Sequence, residues 1–331
     1  MTDKILKALR CENREGPPVW IMRQAGRYLP AYRTLRQRYG LNDLFHQPEL
    51  AAEVTQLPLK VLNVDAAILF SDILVIAEVF GLKVHFPESG GPFIEPILKT
   101  DQDILALSAG SVSERLSYVF NTIALLKKDL SLPLLGFAGA PFTVASYLVQ
   151  GDVKEWIYRN PIGFHLLLNK LTEATIEYLR LQIKAGVQAV QIFDSWANLL
   201  SYPQFMEFSI AYLKQIVEAL KSSQVPVILF CRGSSSSPQE LAALTPSAIS
   251  FDWQKELSVI RTQVPASIAV QGNLDPSLLK APMPVIEKAV EKLLLSMRGD
   301  PGFIVNLGHG ILPDTPMEHV ECFVNCVKNY H

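Results

Sequence analysis

The chain has 331 residues, of which 49% are hydrophobic and 19% are charged. This composition is typical of a folded soluble domain and excludes disordered and fibrous proteins. A formal net charge of -2 gives no overall positive field for nucleic acid, so an anionic ligand would have to be held by local cations. We find neither a signal-type apolar block nor a run approaching the ~20 apolar residues that span a membrane. We therefore expect a cytoplasmic protein with no membrane association.

Short β-type runs alternate with longer helical patterns along the whole chain. Eight runs are predicted as strands: Val19–Met22, Ala66–Phe70, Leu134–Phe137, Ala189–Phe193, Val227–Phe230, Ala248–Phe251, Ser267–Val270 and Phe303–Asn306. The predicted helices are Leu50–Leu62, Ser113–Asp129, Pro161–Ala185, Pro203–Ser222, Pro238–Leu244 and Pro284–Arg298. This alternation favours an α/β fold, a closed (β/α)8 or TIM-type barrel, because the GxGxxG fingerprint of a doubly wound sheet is missing. One barrel domain would then occupy residues 1–331.

Polar and glycine-rich loops follow the predicted strands, whereas the segments that enter the strands look like plain turns. In a (β/α)8 barrel the active site lies at the carboxyl ends of the strands. The loops in question are 23–27, 71–72, 138–143, 194–196, 232–233, 252–253, 271–275 and 308–310. A functional site is therefore expected at this end of the barrel.

The loop Arg23-Gln24-Ala25-Gly26-Arg27 places two arginines four residues apart directly after an apolar run. A guanidinium group offers a fixed fork of donors and keeps its charge. The loop therefore suits a ligand with several carboxylates or phosphates. The alternative is a solvated basic loop without a ligand.

Asp72 follows the apolar run 66–70 and is expected to face the mouth of the barrel. It could act as a general base, as a metal ligand, or as a counter-ion for N–H donors or a developing cation. The alternative is a cap for the next helix. Asp194, Asp252 and Asp275 also follow strands, but without an HxH or DxD pair we favour capping or strand-end hydrogen bonds for these three.

Three further side chains are candidates for ligand binding. Tyr147 follows a run of small residues and can donate its phenol to a carboxylate, unless it is a core tyrosine. Ser195 has no histidine in its own loop, so we interpret its hydroxyl as a donor rather than a nucleophile. His309 lies between two glycines and could bind a carboxylate or shuttle a proton, against a structural role.

The last helix carries His319, Cys322 and Cys326 at spacings that put them on one face. A metal site is one interpretation of this group. The same face includes Val320, Phe323, Val324 and Val327, so we favour the cysteines as small buried hydrophobic residues. No metal ion is predicted for the chain.

Four segments, 17–33, 136–151, 271–276 and 306–313, resemble the uroporphyrinogen decarboxylases. These enzymes of haem biosynthesis convert the four acetate side chains of uroporphyrinogen III, a cyclic tetrapyrrole, to methyl groups. The resemblance implies coproporphyrinogen III and four CO2 as products, and a homodimer. The cobamide-dependent methyltransferases are similar in fold, but the His-x-Cys and distant Cys zinc site expected of them is not found here.

The resemblance also implies roles for individual residues. Asp72, Arg23 and Arg27 would be catalytic, with Asp72 accepting pyrrole N–H groups and stabilising a substrate cation. The substrate-binding residues would be Arg23, Gln24, Ala25, Gly26, Arg27, Asp72, Tyr147, Ser195 and His309. No cofactor is expected, because no lysine directly follows a predicted strand and a protonated pyrrole can itself accept the electrons.

The chain departs from the family pattern at residues 231–237, CRGSSSS, where Arg232 stands in place of an expected lysine. The charge is kept, but the serine run is unusual, and Gln254 replaces a more usual threonine. A non-enzymatic carrier of porphyrins or organic anions is the other class of function that we consider. Such a carrier explains the arginines but not Asp72, because an acidic group opposes binding of a polyanion.

Overall fold

A curled sheet of seven parallel strands forms the centre of the computed structural model, which describes residues 3–87, 90–150 and 153–330. The strands are β1 Ala67–Ile68, β4 Leu134–Gly139, β5 Ala189–Asp194, β6 Val227–Cys231, β7 Ala248–Ser250, β8 Ala269–Leu274 and β9 Phe303–Leu307. They lie side by side in the sheet in this order. Every residue of β4, β5, β6 and β9 is buried, as expected for a parallel sheet covered on both faces.

The two edges of the sheet meet on either side of an extended segment at Val19. On one side, Val19 pairs with Val305 of β9, and the Val305 N–H donates to the Pro18 carbonyl at 2.9 Å. On the other side, the Asp65 N–H, just before β1, donates to the Val19 carbonyl at 2.7 Å. This segment occupies the eighth position of a TIM-type barrel, so the expected fold class is confirmed.

The predicted strand Val19–Met22 is wrong as a regular strand, although the other seven predicted runs all form strands with end shifts of a few residues. Side chains take the place of its ladder partners. The Val19 N–H donates to Asp65 Oδ2 at 2.8 Å, the Ile21 N–H to Gln24 Oε1 at 3.0 Å, and the Met22 N–H to Asn306 Oδ1 at 3.1 Å. The backbone is therefore satisfied without the regular pairing that defines a strand.

Helices surround the sheet. They are α1 Lys4–Leu9, α2 Pro30–His46, α3 Pro48–Gln56, α4 Asp101–Ala106, α5 Val112–Arg115, α6 Ser117–Asp129, α7 Pro141–Leu148, α8 Val153–Arg159, α9 Pro161–Ala185, α10 Tyr202–Phe205, α11 Ala211–Leu220, α12 Pro238–Ala242, α13 Leu257–Arg261, α14 Met283–Ser296 and α15 Met317–Lys328. Short 3-10 turns lie at Pro58–Lys60, Val75–Phe80, Ala197–Leu199, Lys221–Ser223, Ser234–Ser236 and Pro276–Lys280. Among the described residues, no helix is both long and apolar enough to cross a membrane.

The predicted helix Pro161–Ala185 has the same bounds in the structure, with Asn160 capping its start through Gly163 N–H. The predicted helix Pro203–Ser222 is also helical throughout, with a π turn at Met206–Ile210 joining α10 to α11. An antiparallel hairpin was not predicted: β2 Lys83–His85 pairs with β3 Phe93–Glu95 and packs on α7. Its strands are too short to show an alternating pattern.

A buried carboxylate with a basic partner lies where the barrel closes. Asp65 binds Val19 through one oxygen, and its Oδ1 accepts a hydrogen bond from Lys328 Nζ of α15 at 2.6 Å. The side chain of Asp65 is only 4% exposed. Removal of the lysine would leave this carboxylate buried without its counter-charge.

We expect Lys328→Ala to lower the free energy of unfolding by about 1–3 kcal/mol, measured by chemical denaturation. Lys292→Ala is the matched control, because Lys292 and Glu256 form an ion pair whose side chains are 71% and 62% exposed. That change should cost less than about 0.5 kcal/mol. Equal effects of the two substitutions would show that the Asp65 contact does not stabilise the closure.

Candidate active site

An open cleft lies at the carboxyl ends of the strands, where the sequence predicted the site. Its lining includes Arg23, Ala25, Gly26, Arg27, Asp72, Tyr147, Ser195 and His309. These residues come from five loops or helices between residues 23 and 309, and the curled sheet brings them together. Of the predicted substrate-binding residues, Gln24 is the one that does not line the cleft.

Gln24 is fully buried and holds the arginine loop in place. Its Oε1 accepts the Ile21 N–H and its Nε2 donates to the Ala66 carbonyl, both at 3.0 Å. The Tyr28 hydroxyl donates to the Gln24 carbonyl at 2.7 Å. The side chain is therefore engaged in joining the arginine loop to β1.

Arg23 adopts a left-handed backbone conformation, with φ +64°, and reaches into the cleft past two glycines. A Cβ on Gly310 would lie 2.7 Å from Arg23 Cγ, and a Cβ on Gly26 would lie 2.8 Å from the Arg23 carbonyl oxygen. Neither glycine can carry a side chain without moving the arginine. The Arg23 group is open to the cleft but surrounded by protein on its other sides, and this enclosure lowers its pKa, against the opposing effect of Asp72.

Asp72 lies in the same cleft and is costly to ionise. Burial raises its pKa from 3.8 to about 6, although the Leu74 N–H, which donates to Asp72 Oδ1 at 2.8 Å, and the charge of Arg23 act in the opposite direction. The alternative role of Asp72 as a cap is therefore correct for its Oδ1 atom. Among the described residues, Oδ2 accepts no hydrogen bond, so it can accept one from a ligand.

His309 is held as a neutral hydrogen-bond donor. The Gly310 N–H donates to His309 Nδ1 at 2.8 Å, which assigns the proton of the neutral ring to Nε2. Burial, together with the charges of Arg23 and Arg232, lowers the pKa of His309 from 6.5 to about 4. The ring packs edge-on against Phe230 at 5.7 Å. This state suits carboxylate binding better than proton transfer near neutral pH.

Tyr147 and Ser195 complete the polar part of the cleft. The Tyr147 ring packs edge-on against Trp196 at 5.9 Å, and burial raises the pKa of its phenol, which therefore stays protonated. Ser195 is half-buried, and within the described residues no histidine lies within hydrogen-bonding distance of its hydroxyl. Both side chains are available as donors.

The three other strand-end aspartates form hydrogen bonds within the protein, as predicted. Asp194 is fully buried and accepts the hydroxyls of Thr143 and Ser209, each at 2.5 Å. Asp252 accepts the Gly233 N–H and the Ser235 hydroxyl. Asp275 caps the next turn through the Ser277 N–H at 2.8 Å.

Sequence reasoning missed Arg36 and the aromatic side of the cleft. Arg36 and Tyr32 stand four residues apart on α2 and both line the cleft. Phe70 stacks on Phe45 at 4.8 Å and meets the edge of Tyr32 at 5.7 Å, while Phe86 packs against Phe45 at 5.1 Å. The (i, i+4) spacing of Tyr32 and Arg36 was the available signal, because it predicts a shared helix face.

The candidate metal-binding group of His319, Cys322 and Cys326 on the last helix is not the cluster that forms in the structure. His319 Nδ1 is bonded to the Leu279 carbonyl at 2.8 Å. The ligand atoms of Cys322, Cys326 and Glu287 instead lie within 4.8 Å of one another. The two cysteines are half-buried rather than fully buried, so the expectation of core thiols is only partly right. These three ligands, one of them exposed, are fewer than the four of a structural zinc site, and none of them lines the cleft.

A family model described as uroporphyrinogen decarboxylase matches residues 1–330. The chain belongs to the uroporphyrinogen decarboxylase family. The chain is 50% identical over 333 residues to a uroporphyrinogen decarboxylase of Protochlamydia amoebophila, covering 98% of this chain and 91% of that one. It is 43% identical to the uroporphyrinogen decarboxylase of Flavobacterium johnsoniae over 337 residues, covering 99% and 98% of the two chains.

Among solved structures, a methyltransferase from Methanosarcina mazei has a TM-score of 0.82 to this chain, with 22% sequence identity. The match covers 98% of this chain and 97% of that one. A B12-independent methionine synthase from Shewanella has a TM-score of 0.55 at 13% identity, covering 85% of this chain and 87% of that one. At these identities the likeness concerns the fold alone.

The tautomer and charge of His309 can be tested by NMR of protein labelled at histidine. We expect His309 to titrate near pH 4 and to remain neutral between about pH 5 and 8, with the proton on Nε2. Arg23→Gln should raise this pKa, because a nearby positive charge is removed. His46, whose bond to Glu78 raises its pKa above 6.5, is the internal reference in the same spectra. A His309 that is charged at pH 6 would contradict the assignment.

Proposed function

We propose that this chain decarboxylates uroporphyrinogen III to coproporphyrinogen III, converting four acetate arms to methyl groups and releasing four CO2 in haem biosynthesis. Family membership supports the reaction class. The observation that carries the proposal is that Asp72, whose ionisation is penalised by burial, lies in a cleft that also contains Arg23, Arg27 and Arg36. A ligand that has both N–H groups and many carboxylates satisfies these opposite charges together.

Substrate binding uses the rim of the cleft for carboxylates. Arg23, Arg27 and Arg36 provide charged donors, and neutral His309 provides its Nε2–H. Tyr147 and Ser195 add hydroxyl donors. The aromatic side formed by Tyr32, Phe45, Phe70 and Phe86 contacts the apolar faces of the pyrrole rings.

Catalysis places the substrate's N–H groups on Asp72. Protonation of a pyrrole at the ring carbon beside the acetate arm makes a cation, and the C–C bond to the carboxylate then breaks with its electrons returning to that ring. Protonation of the exocyclic carbon forms the methyl group, and the ring carbon then loses the proton that it gained first, which restores the pyrrole. Each arm therefore consumes one proton net and releases one CO2. Ionised Asp72 stabilises the cation, and the low dielectric around it strengthens this attraction. On this mechanism no cofactor is needed.

The test of this function is anaerobic incubation of purified, chelator-treated protein with uroporphyrinogen III. The measured quantities are CO2 release and the carboxyl number of the products after oxidation. Stepwise loss to a tetracarboxylate is the expected result. Tight binding without turnover would favour the carrier, and turnover only with zinc and a methyl donor would favour a methyltransferase. The homodimer and the cytoplasmic location remain proposals from family membership; sedimentation of the purified chain tests the first.

Asp72→Asn should lower kcat by about 10²–10³-fold with a much smaller change in KM, because the neutral amide does not stabilise a cation. The thermal midpoint should not fall, since burial penalises the charged form of Asp72 and asparagine keeps an acceptor for the Leu74 N–H. Asp72→Glu restores the charge and should recover part of kcat. Full activity of the asparagine variant would remove Asp72 from the chemistry.

A further inference from the structure

We propose that Arg232 forms a second carboxylate subsite, in a cavity beside the cleft, which binds a peripheral carboxylate arm of the tetrapyrrole during turnover. This inference rests on the proposed function. It concerns the segment in which the chain departs from the family pattern, residues 231–237. None of these residues lines the main cleft.

Arg232 stands directly beside two side chains of the cleft. The backbone N–H of Arg232 donates to the Asp194 carbonyl at 3.1 Å, and the residue after Asp194 is Ser195. The ring of Phe230, two residues before Arg232, packs edge-on against the ring of His309. The positive charge of Arg232 also contributes to the low pKa of His309. The guanidinium therefore acts on the same space as the cleft.

Arg232 lines a cavity that is separate from the main cleft. Its lining includes Asn198, Tyr202, Ser236 and Gln254. Tyr202 donates to Glu240 and Ser236 donates to the Gly233 carbonyl, so these two hydroxyl protons are already engaged. The side-chain amides of Asn198 and Gln254 form no hydrogen bond within the described residues. The cavity therefore offers one cation and two side-chain amide groups to a ligand.

Asp252, which binds the loop that carries Arg232, does not neutralise the arginine. Asp252 accepts hydrogen bonds from the Gly233 N–H, the Ser235 hydroxyl and, at 3.3 Å, the Gln254 N–H. In the described part of the chain, no carboxylate lies within 4.0 Å of the Arg232 guanidinium. The serine run thus shapes the turn and binds Asp252, while the half-buried arginine keeps its donors for a ligand.

The position of Arg232 around the barrel explains why a large polyanion would use it. Arg23 and Arg27 follow the closing segment at Val19, and Arg232 follows β6, halfway round the ring of eight positions. A tetrapyrrole carries carboxylates around its whole rim. One cation on the far side of the mouth can therefore bind an arm that the arginine loop does not reach, and a planar guanidinium matches a carboxylate in a bidentate pair.

The experiment compares the wild type with Arg232→Gln and Arg232→Lys. We expect Arg232→Gln to raise KM for uroporphyrinogen III by about tenfold, with kcat within about twofold, because the lost interaction is made equally in the ground and transition states. Arg232→Lys should recover most of the affinity through its charge. Arg298→Gln, an exposed arginine at the opposite end of the barrel, is the matched control and should change neither parameter.

The outcomes separate this subsite from the proposed function. A wild type that does not decarboxylate overturns the function, and the subsite is then judged from fluorescence titration with uroporphyrin, for which Arg232→Gln should bind about tenfold more weakly. Normal turnover with an unchanged KM in Arg232→Gln overturns the subsite alone. The subsite would also be overturned if Arg232→Gln and Arg232→Lys both lowered the thermal midpoint of the protein and KM did not rise more in Arg232→Gln than in Arg232→Lys.

Discussion

The hydrogen bonding of the closing segment is the constraint on which the rest of the site depends. All four backbone N–H groups from Val19 to Met22 are satisfied, three of them by the side chains of Asp65, Gln24 and Asn306, and that of Trp20 by the Val305 carbonyl. Gln24 belongs to the loop that follows the segment, whereas Asp65 precedes β1 at one edge of the sheet and Val305 and Asn306 lie on β9 at the other. The segment therefore joins the edges, and the chain that leaves it at Arg23 must enter the mouth of the barrel.

Burial then determines the electrostatics of the cleft. Enclosure by protein raises the pKa of Asp72 and lowers those of Arg23 and His309, so each group is moved towards its neutral form. A ligand that places opposite charges beside these groups favours their charged forms and so offsets the penalty of burial. A molecule with a carboxylate rim and N–H groups at its centre meets the arginines and the aspartate at once, which is why the proposed substrate and the site are complementary.

In the loops that follow the strands, some polar side chains line the cleft and others hold the loop in place, and residue type alone does not show which. Gln24 and Asp194 stand beside cleft residues in the chain, yet their side chains are turned into the protein and hold the loops. Arg232, in the loop after β6, lines the neighbouring cavity, and its guanidinium donates no hydrogen bond within the described part of the chain. Gly26 and Gly310 serve as space for Arg23 rather than as flexible points.

The sequence by itself determined the barrel, seven of its strands and the end at which the site lies, because alternating apolar runs and polar loops are local patterns. It also singled out every polar residue of the arginine loop, Asp72, Tyr147, Ser195 and His309. Only the tertiary structure decided that Val19–Met22 is not a regular strand, that Gln24 faces inward and that Arg36 joins the cleft. The contacts behind these outcomes include partners far away in the sequence, from Ala66 for Gln24 to Asn306 for Met22, and a local pattern cannot contain such contacts.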